Sequence, residues 1–405
     1  MKSPSSLAQR VSVMLDQPAT EMAQEELPKQ IAFLAQGIRE IRFSGDGREV
    51  SFALDSEPQP ELQELVRDAA RRMQRGLRQL KRKIVFSSSR MASPRFKPVE
   101  NISGVHAFAT GIVALEGLPL KLFRYFDRSF IEFGKRWNPA PLMTPTLIPS
   151  DVLAKCDYFR SFPHNVTFAC HLTETAENIA GFRAHYQEMD HLDDQAVSHL
   201  ATPEACLSPA VCYHTYCLNQ NKTLPAEGLA YEIVGKCFRY EASNLTDLRR
   251  LWDFTMREIV FLGERESILE KRAESITDMG RFLEEHELAG EIRTASDPFF
   301  VAPDAISKTY FQLSSETKFE ISLLLPNNER VAVGSHNYHS DFFGRAFNTT
   351  VEGHGAMHSV CVAFGLERWV HAFLQQHGDD INQWPAVVRT ATEFAQEQRA
   401  QNTSV

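Results

Sequence analysis

The sequence predicts an α+β protein in which a mainly antiparallel sheet is flanked by helices, with a small α/β unit at the N-terminus. Two strand-like segments, 318–326 and 330–335, are joined through the turn Pro326-Asn327-Asn328-Glu329, which leaves no room for the crossover helix that parallel strands need. Long apolar helical patterns occur at 118–133 and 368–377.

Composition places the chain among ordinary globular proteins. It has 405 residues, 43% hydrophobic and 23% charged, so we expect two units, residues 1–95 and residues 96–405. No apolar run approaches the ~18–20 residues of a membrane span. Seven scattered cysteines, an odd number, favour a reducing compartment, so we expect a cytoplasmic protein. A net charge of −9 argues against broad nucleic-acid binding.

Residues 1–95 contain a predicted hairpin and helix. The segments 38–43 and 48–54 alternate around Ser-Gly-Asp-Gly, and residues 61–83 carry apolar side chains at helical spacing. The opposite helix face is basic, which suits either a solvated surface or a docking site for an acidic partner. Its basic residues are Arg71, Arg72, Arg75, Arg78, Lys81, Arg82 and Lys83. Residues 87–98 are predicted to be a linker.

In the larger unit, the helix at 118–133 is followed by prolines and a strand at 142–149. We expect a strand at 236–243, at least partial helix over 257–283, the two hairpin strands, and the helix at 368–377.

Two arginine motifs carry chemistry. Phe238-Arg239-Tyr240-Glu241 lies on a predicted strand and precedes Arg250 and Phe254. The Arg239 guanidinium could hold phosphate oxygens, and a nearby aromatic ring could stack on a base. A surface ion pair is the alternative. Gly365-Leu366-Glu367-Arg368 follows an apolar strand and opens a helix, where an arginine in the first turn can face an anion.

In this order the two motifs resemble motifs two and three of class II aminoacyl-tRNA synthetases, and residues 122–145 resemble motif one. The segments 207–213 and 358–365 are most similar to the amino acid:[carrier protein] ligases, truncated relatives of seryl-tRNA synthetases. Further similar segments are 157–164 and 335–344, so the resemblance spans about residues 100–377. It implies a class II synthetase catalytic core.

The resemblance implies one zinc ion per subunit, bound by Cys212, Glu258 and Cys361. Three protein ligands leave a fourth position open, as in catalytic zinc sites. The alternatives are that both cysteines are small buried apolar residues, and that His358 is a rival ligand. The same likeness implies substrate contacts from Glu258, Ser335 and Asn337.

By the same resemblance, Arg239 and Arg368 are catalytic and bind ATP phosphates together with Mg²⁺. Phe254 would stack on adenine, with Glu241 and Arg250 completing the ATP site. The family forms an aminoacyl-adenylate from a small amino acid, here glycine or alanine, and transfers it to the phosphopantetheine thiol of an acyl carrier protein. The basic helix face or residues 297–313, with Lys308 and Lys318, would dock the carrier protein. A homodimer is expected from the fold.

Two alternatives stay open. An atypical seryl-tRNA synthetase would use residues 1–95 as a tRNA arm, although the unit is short and its helix contains Gly76. A catalytically silent synthetase-like regulator is the other, and retention of both motif arginines and the three metal-ligand residues argues against it.

Overall fold

A computed structural model describes residues 9–77, 80–241, 245, 247–299 and 305–394. Arg78 and residues 300–304, which belong to the predicted docking segments, lie outside the described residues.

The N-terminal unit is a three-stranded antiparallel sheet, in the order β1-β3-β2, packed against two helices. Its elements are β1 (Gln9–Met14), α1 (Glu21–Ile31), β2 (Arg39–Phe43), β3 (Glu49–Leu54) and α2 (Leu62–Leu77). Thr20 caps α1 by accepting a hydrogen bond from the backbone of Ala23. Phe52 and Val66 are fully buried between sheet and helices. The predicted hairpin and helix are confirmed.

The rest of the chain forms a larger α+β unit. Its strands are β4 (Ile84–Ser87), β5 (Val105–Ala109), β6 (Ile112–Leu115), β7 (Ala140–Leu142), β8 (Leu147–Pro149), β9 (Phe168–Ala169), β10 (Ala205–Leu207), β11 (Thr223–Leu224), β12 (Leu229–Phe238), β13 (Asp253–Gly263), β14 (Gly290–Thr294), β15 (Lys318–Leu324), β16 (Arg330–Tyr338), β17 (Thr350–Val351), β18 (Gly355–Ala356) and β19 (His358–Gly365). Its helices are α3 (Gly117–Gly134), α4 (Ser150–Lys155), α5 (Tyr158–Ser161), α6 (Ala176–His185), α7 (Tyr213–Leu218), α8 (Arg265–Glu285), α9 (Ala305–Ser314), α10 (Phe342–Ala346), α11 (Leu366–His377) and α12 (Ala386–Arg389).

In the described part of the chain, eight strands form the central sheet in the order β4-β14-β15-β16-β19-β13-β12-β7. The β7–β12 pair at one edge is parallel and the other pairs are antiparallel, as predicted. Helices α3, α8 and α11 cover one face, where Phe130 stacks on Phe364 with ring centroids 4.0 Å apart.

Successive side chains of β19 point to opposite faces of the sheet. Val360, Val362 and Phe364 point to the helices, whereas Cys361 and Ala363 belong to a second buried cluster on the opposite face. That opposite face carries the candidate site.

Five boundaries differ from the predictions. Residues 80–83 lie outside α2, and the strand predicted at 142–149 is divided into β7 and β8 by residues 143–146. Residues 257–263 form β13 rather than helix, because this strand is buried on both faces and lacks an alternating pattern. Strand β12 ends at Phe238, so Arg239 and Glu241 follow it in a loop. The predicted linker begins inside β4, which pairs with β14 and packs Phe86 against Gly280 of α8.

The described helices include none whose length and apolar character would suit a bilayer crossing.

Candidate active site

Cys212, Glu258 and Cys361 converge on the open face of the sheet. Their ligand atoms all lie within 4.8 Å of one another and the three residues are buried. Cys212 immediately precedes α7, whereas Glu258 and Cys361 lie on the adjacent strands β13 and β19. The predicted three-residue set is therefore brought together, from positions far apart in the chain.

The electrostatics of this cluster suit a cation. Burial raises the pKa of Glu258 to about 7, and the buried thiol of Cys361 also has a raised pKa. The Oε2 atom of Glu258 is buried without a hydrogen-bond partner among the described residues. A carboxyl group and two thiols kept from water need a compensating positive charge to ionise together.

Tyr216 and His339, which the sequence did not single out, support the cluster. The Tyr216 hydroxyl lies 3.3 Å from the Cys361 sulfur and 3.4 Å from Nδ1 of His339. The Tyr216 ring stacks on Phe343 at a centroid distance of 3.9 Å. His358, the rival ligand, instead contacts the Tyr338 hydroxyl through Nδ1 at 2.8 Å and lies outside the donor set.

Ser335 and Asn337 lie beside the cluster in the sheet. Ser335 is paired with Ala363, which is paired with Glu258, and Asn337 is paired directly with Cys361. Paired residues of antiparallel strands share a face. The Asn337 amide donates to Ser335 Oγ at 3.0 Å, and its Oδ1 is buried without a partner in the described chain.

Arg239 and Phe254 form a second group on this face. Phe254 lies four residues before Glu258 on β13, and the Arg239 guanidinium is 5.5 Å from its ring centroid. Arg239 Nε donates to the carbonyl of Pro209 at 3.0 Å, which fixes the side chain near the segment leading to Cys212.

Glu241, Arg250 and Arg368 complete this group. Arg250 donates to Glu241 at 3.2 Å. Arg368 donates through Nε to the carbonyl of Arg249 at 2.7 Å and through Nη1 to that of Ala332 at 3.0 Å. Burial and the nearby guanidinium groups of Arg250 and Arg239 lower the pKa of Arg368, while Glu241 opposes this effect. Guanidinium groups gathered in this way suit a polyanion.

Known proteins with similar sequences include two from Bradyrhizobium diazoefficiens. Amino acid–[acyl-carrier-protein] ligase 1 is 32% identical over 61% of this chain and 74% of that protein, and ligase 2 is 31% identical over 65% and 77%. The chain belongs to the amino acid–[acyl-carrier-protein] ligase family. The predicted resemblance is thereby confirmed, and the protein is a ligase.

Other similarities are broader. The family model for the tRNA synthetase class II core domain (G, H, P, S and T) matches residues 192–377. The type-2 serine–tRNA ligase of Methanopyrus kandleri is 26% identical over 60% of this chain and 49% of that protein. A crystal structure of M. kandleri SerRS with A. aeolicus tRNASec matches 96% of this chain and 77% of that chain, with a TM-score of 0.67 and 19% identity. The class II synthetase core fold is confirmed.

Lys318 lies in a different environment from the one predicted from the sequence. Lys318 is 8% exposed and donates to Asp297 Oδ1 at 2.5 Å, so its prediction as a surface docking residue is wrong. Lys318 is paired with Asn337, and therefore lies on the face of the cluster. Burial alone would raise the pKa of Asp297, but the Lys318 ammonium and a hydrogen bond from Gln312 lower it to about 2.

The other predicted docking lysine and part of the basic helix face are also engaged within the ligase, whereas Arg72, Arg75 and Lys81 are exposed. Lys308 lies 3.5 Å from Asp157 Oδ2. Ion pairs to carboxylates hold Arg71, Arg82 and Lys83.

Proposed function

We propose that the protein activates a small amino acid, glycine or alanine, with ATP and transfers it to the phosphopantetheine thiol of an acyl carrier protein. The observation that carries this proposal is the shared face: the Cys212–Glu258–Cys361 cluster and the Arg239–Phe254 group lie on the same side of the central sheet. An amino acid and ATP would therefore meet over one surface.

Zinc fits the cluster. Two thiolates and one carboxylate are ligands that zinc accepts, and three of them leave one coordination position open. When bound, such an ion would take the substrate's α-amino group in that open position. Among the described residues, no further cysteine joins the donor set to close it, which favours a catalytic over a structural site.

The chain's own residues position the reactants. Arg239 would bind the α-phosphate and Arg368 the γ-phosphate, Phe254 would stack on adenine, and Glu241 with Arg250 would hold the remaining ATP surface together with Mg²⁺. The substrate carboxylate then attacks the α-phosphorus, forming an O–P bond while the bond to the leaving pyrophosphate breaks. Because the nucleophile is already an anion, positioning and charge stabilisation suffice.

The second step uses the adenylate. The carrier-protein thiol gives its proton to solvent and its sulfur attacks the carbonyl carbon. A thioester C–S bond forms while the acyl C–O bond breaks, and AMP leaves. A preference for glycine or alanine is supported by the packed Tyr216 and Phe343 rings beside the metal ligands, together with Ser335 and Asn337. These side chains limit the room beside the amine.

A homodimer is proposed from exposed apolar side chains on the short strands and loops beside the central sheet. Phe108, Met143, Leu147 and Phe168 are between 47% and 93% exposed. Strands β8 and β9, which carry Leu147 and Phe168, both pair with β10. A cytoplasmic location is consistent with the seven free cysteines.

The N-terminal unit leaves a second candidate function, aminoacylation of tRNA. It is favoured by the structural match to M. kandleri SerRS, which extends over nearly the whole chain. The internal ion pairs of the basic helix face count against it, because they leave fewer free cations for phosphates.

The test is amino-acid-dependent exchange of pyrophosphate into ATP, with metal content measured on the same samples. We expect exchange with glycine or alanine, and loss of both zinc and exchange in Cys361→Ala. Cys206→Ala is the matched control. Cys206 is fully buried in the apolar cluster that also contains Cys212 and Cys361, but it is not one of the three proposed metal ligands. Exchange restricted to serine, with charging of tRNA rather than carrier protein, would favour the synthetase. Absence of exchange with every amino acid would contradict both enzymes.

A further inference from the structure

One of the buried positions at which the N-terminal unit contacts the catalytic unit is Ser296. Lys29 Nζ donates to the Ser296 carbonyl at 3.1 Å, and Ser296 Oγ donates to Glu26 Oε2 at 2.6 Å. Lys29 and Glu26, both on α1, are themselves 2.9 Å apart. Glu26 is 2% exposed and Ser296 1% exposed, so the Glu26 carboxylate has been taken out of water to make the contact, whereas the Lys29 side chain keeps 29% of its surface exposed.

A second set of contacts holds the residues just before Ser296. Arg82 donates through Nη1 to the Thr294 carbonyl at 2.8 Å and pairs with Glu25 at 2.9 Å. Arg82 also pairs with Glu26. Arg293 pairs with Glu25 at 3.0 Å. The two carboxylates of α1 therefore fix the chain where it leaves β14.

Ser296 directly precedes Asp297, the residue that pairs with Lys318 beside the metal-ligand cluster. Lys318 Nζ also lies 3.2 Å from Glu320 Oε1, and Lys318, Asn337 and Cys361 occupy neighbouring positions across β15, β16 and β19. A displacement of Ser296 would move Asp297, and would change the position and the charge balance of Lys318 next to Asn337.

Domain docking alone does not require such a network. A buried ion network is a weak source of stability, because desolvation offsets much of the attraction, whereas its charge-assisted hydrogen bonds are directional. Apolar packing is already present: Gly76 of α2 lies against Ile306, and Leu313 joins the N-terminal core. We therefore infer that the charged contacts fix the position of Ser296 more than they stabilise the packing of the two units.

We propose that Lys29 and Glu26 are positioning residues of the amino-acid site, through which the N-terminal unit holds Ser296 and so sets the Asp297–Lys318 pair. This rests on the proposed function for the substrate it names. The N-terminal unit is, in this proposal, a working part of the catalytic site.

The test compares Lys29→Met and Ser296→Ala with the control Arg71→Met. Arg71 also forms ion pairs on the N-terminal unit, but its partners Asp16, Glu64 and Asp68 belong to that unit. Pyrophosphate exchange gives KM for the amino acid and for ATP, and hydrogen exchange of a peptide spanning residues 288–299 reports on the contact independently of activity.

We expect Lys29→Met and Ser296→Ala to raise KM for the amino acid about tenfold with KM for ATP nearly unchanged. Backbone protection over 290–297 should fall in both variants and stay unchanged in Arg71→Met. Equal effects on both KM values, or lost protection with normal KM values, would overturn the positioning role. Unchanged protection would overturn the contact itself.

Wild-type protein that exchanges no pyrophosphate would contradict the proposed function instead. Hydrogen exchange then still decides whether α1 holds Ser296, since lost protection in the two variants but not in Arg71→Met supports that contact.

Discussion

The carboxylate of Glu367 accepts a bifurcated hydrogen bond from the Thr255 backbone N–H, shared between its two oxygens, and a second hydrogen bond from the Thr255 hydroxyl, with each distance 2.9 Å. Thr255 follows Phe254 on β13, and Glu367 precedes Arg368 at the start of α11. One buried side chain therefore connects the strand that carries the aromatic ring to the helix that carries the second motif arginine. It keeps the two halves of the proposed ATP site in register.

Replacing Glu367 by Ala should destabilise the fold. The change leaves the Thr255 N–H and hydroxyl buried without their acceptor, which we expect to lower the free energy of unfolding by about 2–4 kcal/mol. Urea denaturation measures it. Glu270→Ala, at an exposed position on α8, should change stability by less than about 0.5 kcal/mol. Equal free energies of unfolding for the two variants would contradict a stabilising contact between Glu367 and Thr255.

Removing the ring of Phe254 should weaken ATP binding. Stacking of a base on an aromatic side chain contributes about 1–3 kcal/mol, so Phe254→Ala should raise KM for ATP about tenfold or more. KM for the amino acid should change little. Phe254→Trp keeps an aromatic face and is the matched control, measured by the same pyrophosphate exchange. An unchanged KM for ATP in Phe254→Ala would show that adenine lies elsewhere.

The sequence predicted the hairpins, helices α3 and α11 and the grouping of Cys212, Glu258 and Cys361, but for different reasons. The helices have one apolar face and so a clear period, whereas β13 packs Ile259 and Phe261 on one side and Met256 and Val260 on the other, which hides its alternation. The set of proposed metal ligands was predicted from family resemblance, because Cys212 and Cys361 are far apart in the chain and do not form a short metal-binding motif.

Tertiary contacts explain what the sequence missed. Lys318 carries an ordinary surface residue type, and only the pairing of β15 with β16 shows that it lies beside Asn337. The same holds for Lys29 and Ser296, which are far apart in the chain and meet only when the two units pack. Neither position carries a local pattern that would reveal its partner.

The proposed dimer surface can be tested by charge. Phe108 is 76% exposed on the β5–β6 hairpin, and an aspartate there would place an unpaired charge in an apolar interface. Phe108→Asp should shift the mass measured by light scattering from dimer toward monomer. Leu192→Asp, at a 69% exposed position outside the named strands, is the control and should leave the mass unchanged. A wild-type monomer would contradict the dimer directly.

The buried carboxylate of Glu26 should make stability depend on pH in the acid range. Burial alone would raise its pKa, but Lys29, Arg82 and the hydrogen bond from Ser296 lower it below the ordinary 4.5. The unfolded chain therefore binds a proton at higher pH than the folded chain, so the stabilisation is complete above pH 4.5 and is lost as the pH falls through the folded value. Glu26→Gln should cost about 3 kcal/mol near neutral pH, because it leaves the two cations without their shared partner.

The difference in unfolding free energy between wild type and Glu26→Gln should then shrink as urea titrations move from neutral pH to about pH 3. Glu57→Gln, a substitution at an exposed position of the same unit, should give a free energy of unfolding that depends on pH as it does in the wild type. A gap between wild type and Glu26→Gln that stays constant over this range would mean that folding leaves the pKa of the Glu26 carboxyl unshifted. In that case Lys29, Arg82 and Ser296 would not stabilise the ionised carboxylate, and the proposed role of its charge would be wrong.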